Sequence, residues 1–282
     1  MRLATMLYST DYAMRPDDFA VACEERGFES VWFPEHTHIP ASRRTPFPGG
    51  GELPKEYSHI HDPFVALAAA ATATKHIKIA TGVCLVIERD PIVLAKEVAT
   101  LDMLSRGRFM FGIGAGWNAE EMENHGTPFA ERWKVLEERL EAMKKIWTED
   151  AAEYHGKYVN FDPIWSWPKP VQKPYPPIVM GASTPYGRER VARYCDGWVP
   201  LDMMVEDLPA AIADLHARLR KHGRKPEDVE ISMFWAPDDP DKLRRYQDLG
   251  VDRAILPVQA MDDDATLKLL DHYSSLRQHL GG

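Results

Sequence analysis

Chemistry-bearing residues gather in three places along the chain. The pair Glu35-His36 directly follows the run Ser30-Val31-Trp32-Phe33-Pro34. A histidine titrates near neutrality and can give or take a proton, while an adjacent carboxylate can tune it or bond a ring system. A histidine at a strand end, taken alone, is more often structural than catalytic. His36-Thr37-His38 and His59-Ile60-His61 are also two His-x-His pairs, a spacing that holds zinc in metal-dependent hydrolases. That chemistry needs further ligands, and the later strand ends Gly181-Ala182-Ser183, Trp198-Val199-Pro200 and Pro257-Val258-Gln259 offer neither His nor Asp.

The second place is a set of glycines. Gly82 closes the run Ile79-Ala80-Thr81, where a residue without Cβ permits a bulge or the close approach of a ligand. Gly112-Ile113-Gly114-Ala115-Gly116 precedes Trp117-Asn118 and a helical stretch, so Gly114 and Gly116 are expected to expose backbone N–H groups beside a helix start. The spacing is not the dinucleotide fingerprint, and most such clusters are tight turns. The third place is aromatic: Phe47, Trp117, Trp165 and Trp167 are candidates for a substrate-facing wall, with core packing the equal alternative. Cys84, beside the expected bulge, reads as a buried small hydrophobe and not a redox thiol.

The elements that must position these residues alternate from end to end. Strand patterns fall at 2–8, 29–34, 77–83, 108–113, 177–181, 197–200, 229–235 and 252–257, each followed by a helical pattern, several opened by Pro16-Asp17-Asp18, Asp62-Pro63 or Asp90-Pro91. Eight βα units predict one α/β domain over 1–282, a (β/α)₈ TIM barrel with long insertions after strand two and before strand five. A doubly wound open sheet is the alternative, but the first βα turn, Ser9-Thr10-Asp11-Tyr12, lacks a nucleotide fingerprint. Segments 35–61 and 150–176 are too long for plain connections and are expected to be lids over the barrel mouth, the second holding a hairpin around 153–161.

Composition excludes more than it proves. The chain has 282 residues, 44% hydrophobic, with a formal net charge of −9. An acidic balance without a basic block predicts no nucleic-acid partner and no membrane surface. Cys23, Cys84 and Cys195 are odd in number and far apart, which suits a reducing compartment. With no signal-peptide pattern at Met1–Tyr8, the expectation is a cytoplasmic protein.

Taken in order, Trp32-Phe33-Pro34-Glu35-His36, Ala80-Thr81-Gly82-Val83, Arg89-Asp90-Pro91, Leu101 to Phe109, Gly112 to Asn118 and Trp167 to Ser183 resemble the luciferase-like monooxygenase family over nearly the whole chain. The loop Ser42-Arg43-Arg44-Thr45-Pro46-Phe47-Pro48 is similar to the branch that uses the deazaflavin F420. The resemblance implies an F420-dependent oxidoreductase transferring hydride to or from an organic small molecule. The alternative it implies is an FMN-dependent monooxygenase served by a flavin reductase. A catalytically silent cofactor-binding relative and a metallohydrolase are the remaining alternatives. It also implies a homodimer, a non-prolyl cis bond at Gly82-Val83 behind the cofactor ring, and cofactor contacts at Gly114, Ala115, Gly116 and Asn118. A phosphate clasp is implied at Gly181-Ala182-Ser183, where a second glycine is commoner than Ala182. Glu35, where relatives often carry Asp, and His36 are the implied catalytic pair, with His38, then His59 and His61, next in line.

Overall fold

The computed structural model describes residues 1–280. Its strands are β1 (Arg2–Leu7), β2 (Ser30–Phe33), β3 (Lys78–Thr81), β4 (Cys84–Leu85), β5 (Phe109–Gly114), β6 (Ala152–His155), β7 (Asn160–Ile164), β8 (Ile178–Met180), β9 (Gly197–Trp198), β10 (Glu230–Phe234) and β11 (Arg253–Val258). Its helices are α1 (Pro16–Glu25), α2 (Pro63–Ala73), α3 (Pro91–Leu104), α4 (Ala119–Asn124), α5 (Arg132–Thr148), α6 (Pro185–Tyr194), α7 (Leu208–Lys221), α8 (Pro240–Asp248) and α9 (Asp263–Ser275). Parallel pairing runs β3-β2-β1-β11-β10-β9-β8-β5, and β5 returns to β3 to close a TIM barrel. β4 is the continuation of β3 past an interruption at Gly82-Val83, and it too pairs with β5.

The helices start where their sequences say they should. Asp62 and Asp90 accept hydrogen bonds from the first-turn N–H groups of α2 and α3, and a proline occupies the first turn of each. Alternation along the strands splits the apolar residues into two layers. Ala4, Met6, Tyr8, Trp32, Ala80, Met110, Val179, Val199, Phe234 and Ile255 fill the barrel interior. Leu3, Leu7, Val31, Phe33, Ile79, Phe109, Phe111 and Ile113 face the helices.

The floor of the barrel is an ion-pair layer. Arg253 is fully buried and bonds Glu29 through Nε (2.7 Å) and Nη2 (2.8 Å), Ser232 Oγ (2.9 Å) and Glu230 (3.1 Å). Burial opposes the charge on Glu29, but the hydrogen bond and charge of Arg253 prevail and hold its carboxyl at about 2.

The segment 150–176 does not cover the mouth. It joins α5 to β8, and such αβ connections lie at the opposite, N-terminal end of the strands. The hairpin β6–β7 forms as the sequence implies, but it packs beside α5, where the N–H groups of Tyr158 (2.5 Å) and Val159 (2.8 Å) donate to Glu138. Beyond it, Lys169 Nζ bonds the carbonyls of Ile146 and Glu149 at the end of α5, and Gln172 bonds Asp102 and the carbonyl of Phe109 at the start of β5. Trp165 and Trp167 are therefore exposed on the floor side and form no part of a wall at the mouth.

A group whose folded pKa is depressed adds stability that is present above its unfolded pKa and lost as pH falls through the folded one. Lowering Glu29 from 4.5 to about 2 is worth about 3 kcal/mol at neutral pH. Glu29→Gln is expected to lose about that much stability at pH 7 and to unfold with a flatter pH dependence between pH 5 and 2. Urea titrations across that range check it.

Candidate active site

His36 follows β2 and stands at the mouth among rings. Its centroid lies 5.3 Å from Tyr57 and 5.7 Å from Trp117, and Phe47 closes the group at 5.2 Å from Tyr57 and 5.9 Å from Trp117. Its Nδ1 lies 2.7 Å from Oε2 of Glu121, whose Oε1 accepts the N–H of Thr37 (3.1 Å). Glu121 is fully buried on α4. A carboxylate accepts, so Nδ1 is the donor of this bond and Nε2 is the ring nitrogen left over at the mouth. Among the described residues Nε2 has no hydrogen-bond partner. Glu121 is the residue of this site that the sequence does not announce, being 85 positions from His36. The signal available for it was a carboxylate three residues after Asn118, in the turn that follows the strand-five-side glycines.

Glu35, the neighbour in sequence, is turned away from this pocket. Its Oε2 accepts the N–H of Leu85 (2.6 Å) and its Oε1 the Nε of Arg89 (2.6 Å), and the side chain is almost fully buried. Arg89 also pairs with Glu97 at 3.1 Å and with Asp62, the cap of α2. The expected catalytic pair is thus divided: His36 faces the mouth, and Glu35 ties β2 to the residues after the interruption of β3. A third carboxyl, Glu88, is buried beside them, 3.8 Å from His125 Nε2 and without a hydrogen-bond partner among the described residues, and burial, then the charges of Glu121 and Glu35, push it up to about 9. It is a neutral acid at pH 7.

Gly82 interrupts the strand as its position suggests, whereas Gly114 and Gly181 serve a purpose other than exposing backbone donors. The Gly82-Val83 bond is cis, and Val83 packs with the residues of the barrel interior. A Cβ on Gly114 would lie 2.6 Å from Val83 Cγ2, and one on Gly181 would lie 3.2 Å from Val83 Cγ1. Gly114 and Gly181 are therefore the space into which the Val83 side chain fits, not open backbone donors. Gly112 is more constrained still, since a Cβ there would fall 1.9 Å from the carbonyl oxygen of Thr81. Gly116 turns the chain into α4 with φ +65°. Ala115 is buried.

At the last group, Trp198 Nε1 donates to the carbonyl of Ala182 (2.6 Å), and Thr184 caps α6 by accepting from Gly187 N (3.2 Å). A Cβ on Gly187 would lie 2.3 Å from that of Ala182, so the alanine in the turn is accommodated by a glycine in the helix. Ser183 lies at the helix start, and its carbonyl accepts from Arg188 (3.2 Å).

The lid 35–61 does lie over the mouth. Glu120 of α4 accepts from the backbone and Nε of Arg44 (2.8 and 3.0 Å) and from Thr45 Oγ1 (2.6 Å), bonds led by Thr45 that hold its carboxyl at about 2. The far end is fixed to β1 by the bridge between Thr10 and Ile60 and by His61 Nδ1 to Ser9 Oγ (3.1 Å). His59 pairs with Asp11 (2.9 Å), and His38 lies between Thr37 Oγ1 and Asn124. The two His-x-His pairs do not converge, and among the described residues no group of three or more His, Cys, Asp or Glu is placed to hold a metal ion. Cys84 is buried and unbridged, its thiol pushed well up by burial.

The family model for luciferase-like monooxygenases matches residues 4–255. The chain belongs to the luciferase-like monooxygenase family. It is 39% identical over 272 residues to an uncharacterized protein of Mycobacterium tuberculosis, covering 94% of this chain and 95% of that one. It is 30% identical to an FMNH(2)-dependent dimethylsulfone monooxygenase of Pseudomonas putida, covering 66% and 51% of the two chains. An F420-dependent glucose-6-phosphate dehydrogenase of Kineococcus radiotolerans is 29% identical, with 80% and 65% covered. Among solved structures, a monooxygenase of Streptomyces bottropensis superposes with a TM-score of 0.78 at 20% identity, covering 100% of both chains. The family contains both F420- and FMN-dependent oxidoreductases, so a bound tricyclic cofactor has to be tested against the residues present.

Asn118 provides that test. It stands at the start of α4, 1% exposed, and neither Nδ2 nor Oδ1 has a hydrogen-bond partner among the described residues. A buried, unpartnered amide costs about 1–3 kcal/mol and is retained where it has another partner to meet. The residues present therefore fit a polar ring system entering beside α4. Asn118→Leu is expected to raise the stability of the ligand-free protein by about 1–2 kcal/mol, a Tm gain of about 2–4 °C per kcal/mol, while weakening cofactor binding at least tenfold. Thermal melts with and without cofactor distinguish this from a structural role, which would lower the Tm.

Proposed function

We propose that the protein is an F420-dependent oxidoreductase that moves hydride between the deazaflavin and an organic small molecule. The observation that carries this reading is the His36–Glu121 pair, with Nε2 left free at the barrel mouth. When bound, the cofactor supplies a carbon that gives or takes hydride. A hydride delivered to a carbonyl carbon leaves an oxygen that must gain a proton, and the reverse reaction must remove one. His36 Nε2 is the group placed to do so, and Glu121 keeps the ring oriented and stabilises its charged form. Asn118 would bond the ring system, with Gly82-Val83 and Gly114-Ala115-Gly116 beside it. Ala182-Ser183, at the start of α6, would face the phosphate, with Gly181 bonded to Ile113 beneath them. The lid pinned by Glu120 excludes water.

The F420-dependent relative is matched over more of its own length than the FMNH(2)-dependent one, which supports F420 as the cofactor. The named monooxygenase relative favours a second reading, FMN-dependent oxygenation with a separate reductase. Exposed Val65, Ile92, Val93, Met103 and Leu104 on α2 and α3 support a homodimer in either case. No helix among the described residues is long and apolar enough to cross a membrane.

Fluorescence titration with F420 and FMN side by side is expected to show tighter F420 binding, and equal or preferential FMN binding overturns the cofactor assignment. With F420 and a turned-over substrate, His36→Asn is expected to lower kcat by about 10²–10⁴ with little change in cofactor Kd. Full kcat with weakened cofactor binding would make His36 a cofactor contact instead.

A further inference from the structure

Two arginines near the starts of α5 and α6 share one aromatic ring. The guanidinium of Arg190 lies 4.5 Å from the centroid of the Trp133 ring, and that of Arg132 lies 5.9 Å from the same centroid and 3.7 Å from the centroid of Phe129. An arginine stacked on a ring face keeps the edge of its N–H fork available. Each fork is held in place by a single nitrogen. Arg132 Nη1 donates to the carbonyl of Phe129 (2.8 Å), and Arg190 Nη1 donates to that of Tyr186 (3.0 Å). Among the described residues Nη2 of each has no hydrogen-bond partner, and the Nε of each is buried and unpartnered as well.

The carboxylates on the surrounding turns are engaged elsewhere. Glu131 pairs with Lys157 (3.0 Å), Glu137 with Arg193 (2.5 Å), and Glu189 with Arg218 (2.6 Å) and His222 (2.7 Å). Among the described residues no carboxylate lies within ion-pair distance of Arg132 or Arg190. Burial, then the charge of Arg190, hold the Arg132 guanidinium below its usual value, yet a guanidinium stays charged at neutral pH. Two like charges against one ring, without a counter-ion, repel each other until an anion joins them. Their place in the fold says where that anion comes from. α6 follows β8 and α5 follows the turn after β5, so both helices begin at the mouth, and the Arg193–Glu137 pair and the bond from Lys144 Nζ to the carbonyl of Tyr194 (3.0 Å) hold them side by side. Arg190 and Trp133 lie one turn nearer the mouth than Arg193 and Glu137. The rise from Thr184, the cap of α6, to Arg190 is about 9 Å, and the Arg190 side chain reaches back toward that cap, to Tyr186.

Resting on the F420 reading, we propose that Arg132 and Arg190 bind the acidic tail that F420 carries beyond its phosphate. In FMN the phosphate ends the molecule, whereas in F420 it is esterified onward to a lactyl group and a chain of glutamates, each adding a carboxylate. With the phosphate at Ala182-Ser183, about two or three such units at ~3.5 Å each span the length of α6 between its cap and Arg190. The planar guanidinium is the side chain best matched to a carboxylate, and each bond it makes there is charge-assisted. The pair thereby selects F420 over FMN on the helices, outside the ring site, and independently of His36, Asn118 and the lid.

The test is a fluorescence titration of three ligands into the purified protein: F420 with its glutamate tail, F420 cut back to its phospholactyl form without glutamates, and FMN. The unaltered protein is expected to bind tailed F420 about tenfold more tightly than the tailless form at low salt, and to lose that preference at about 0.5 M salt, where exposed charges are screened within a few ångströms. Arg132→Gln and Arg190→Gln are each expected to weaken tailed F420 about three- to tenfold, and together about tenfold or more, while tailless F420 and FMN change by less than about twofold. Equal binding of tailed and tailless F420 by the unaltered protein overturns the proposal and leaves the cofactor assignment standing. So does a loss in the double variant that is the same for all three ligands, which is the pattern of a structural role. Failure of both forms of F420 to bind overturns the cofactor assignment and this proposal together. The tail preference of the unaltered protein and its salt dependence decide the matter even where a variant fails to fold.

Discussion

A carboxylate buried in a barrel wall must be paired, and the arrangement of the mouth follows from how Glu35 meets that requirement. Its oxygens take the N–H of Leu85 and the guanidinium of Arg89, which in turn reaches Asp62 and Glu97. One ion thereby joins the end of β2, the restart of the strand at β4, the N-terminal cap of α2 and the middle of α3. Removing one partner of such a buried pair typically costs about 3–5 kcal/mol, because the other is left charged and unsolvated. His36, the next residue, is held on the other side by Glu121. With Glu35 fixed inward toward Leu85 and Arg89, His36 faces the mouth.

The same economy of space governs the glycines. Interiors are packed at the density of organic crystals, so a side chain thrown into the barrel by an interruption of a strand needs a matching absence opposite. Val83 is that side chain, and Gly114 and Gly181 are the matching absences on β5 and after β8. Gly112 belongs to the neighbouring contact, where the carbonyl of Thr81 occupies the position of a Cβ. The pocket floor is thus a fitted surface shared by three strands, with Asn118 at its margin as the polar group left to a ligand.

Polarity at the mouth is arranged by opposites. Glu121 and Glu120 are neighbours on α4, yet one turns inward to His36 and the other outward to the lid at Arg44 and Thr45. A single short helix therefore orients His36 and fastens the loop above it. Glu88, kept neutral by burial and by these charges, lets three carboxyls share a region that holds one paired arginine.

The sequence by itself determined the barrel and most of the residues at its rim. Eight alternating units, with Asp-Pro at two helix starts, place the strand ends to within a residue or two, because alternation and capping are local properties that burial reinforces. The hairpin near 153–161 and the placement of His36 and Asn118 at the mouth were legible for the same reason. What local pattern does not contain is direction. It could not show that 150–176 lies under the barrel, carrying Trp165 and Trp167 away from the mouth, although its position between a helix and the next strand implies that end. Nor could it show that Glu35 and His36 part company, that Gly114 makes room for Val83, or that Glu121 and Tyr57 meet His36 from distant parts of the chain. Those facts depend on which side chains share a volume once the barrel closes, and only the tertiary structure decides that.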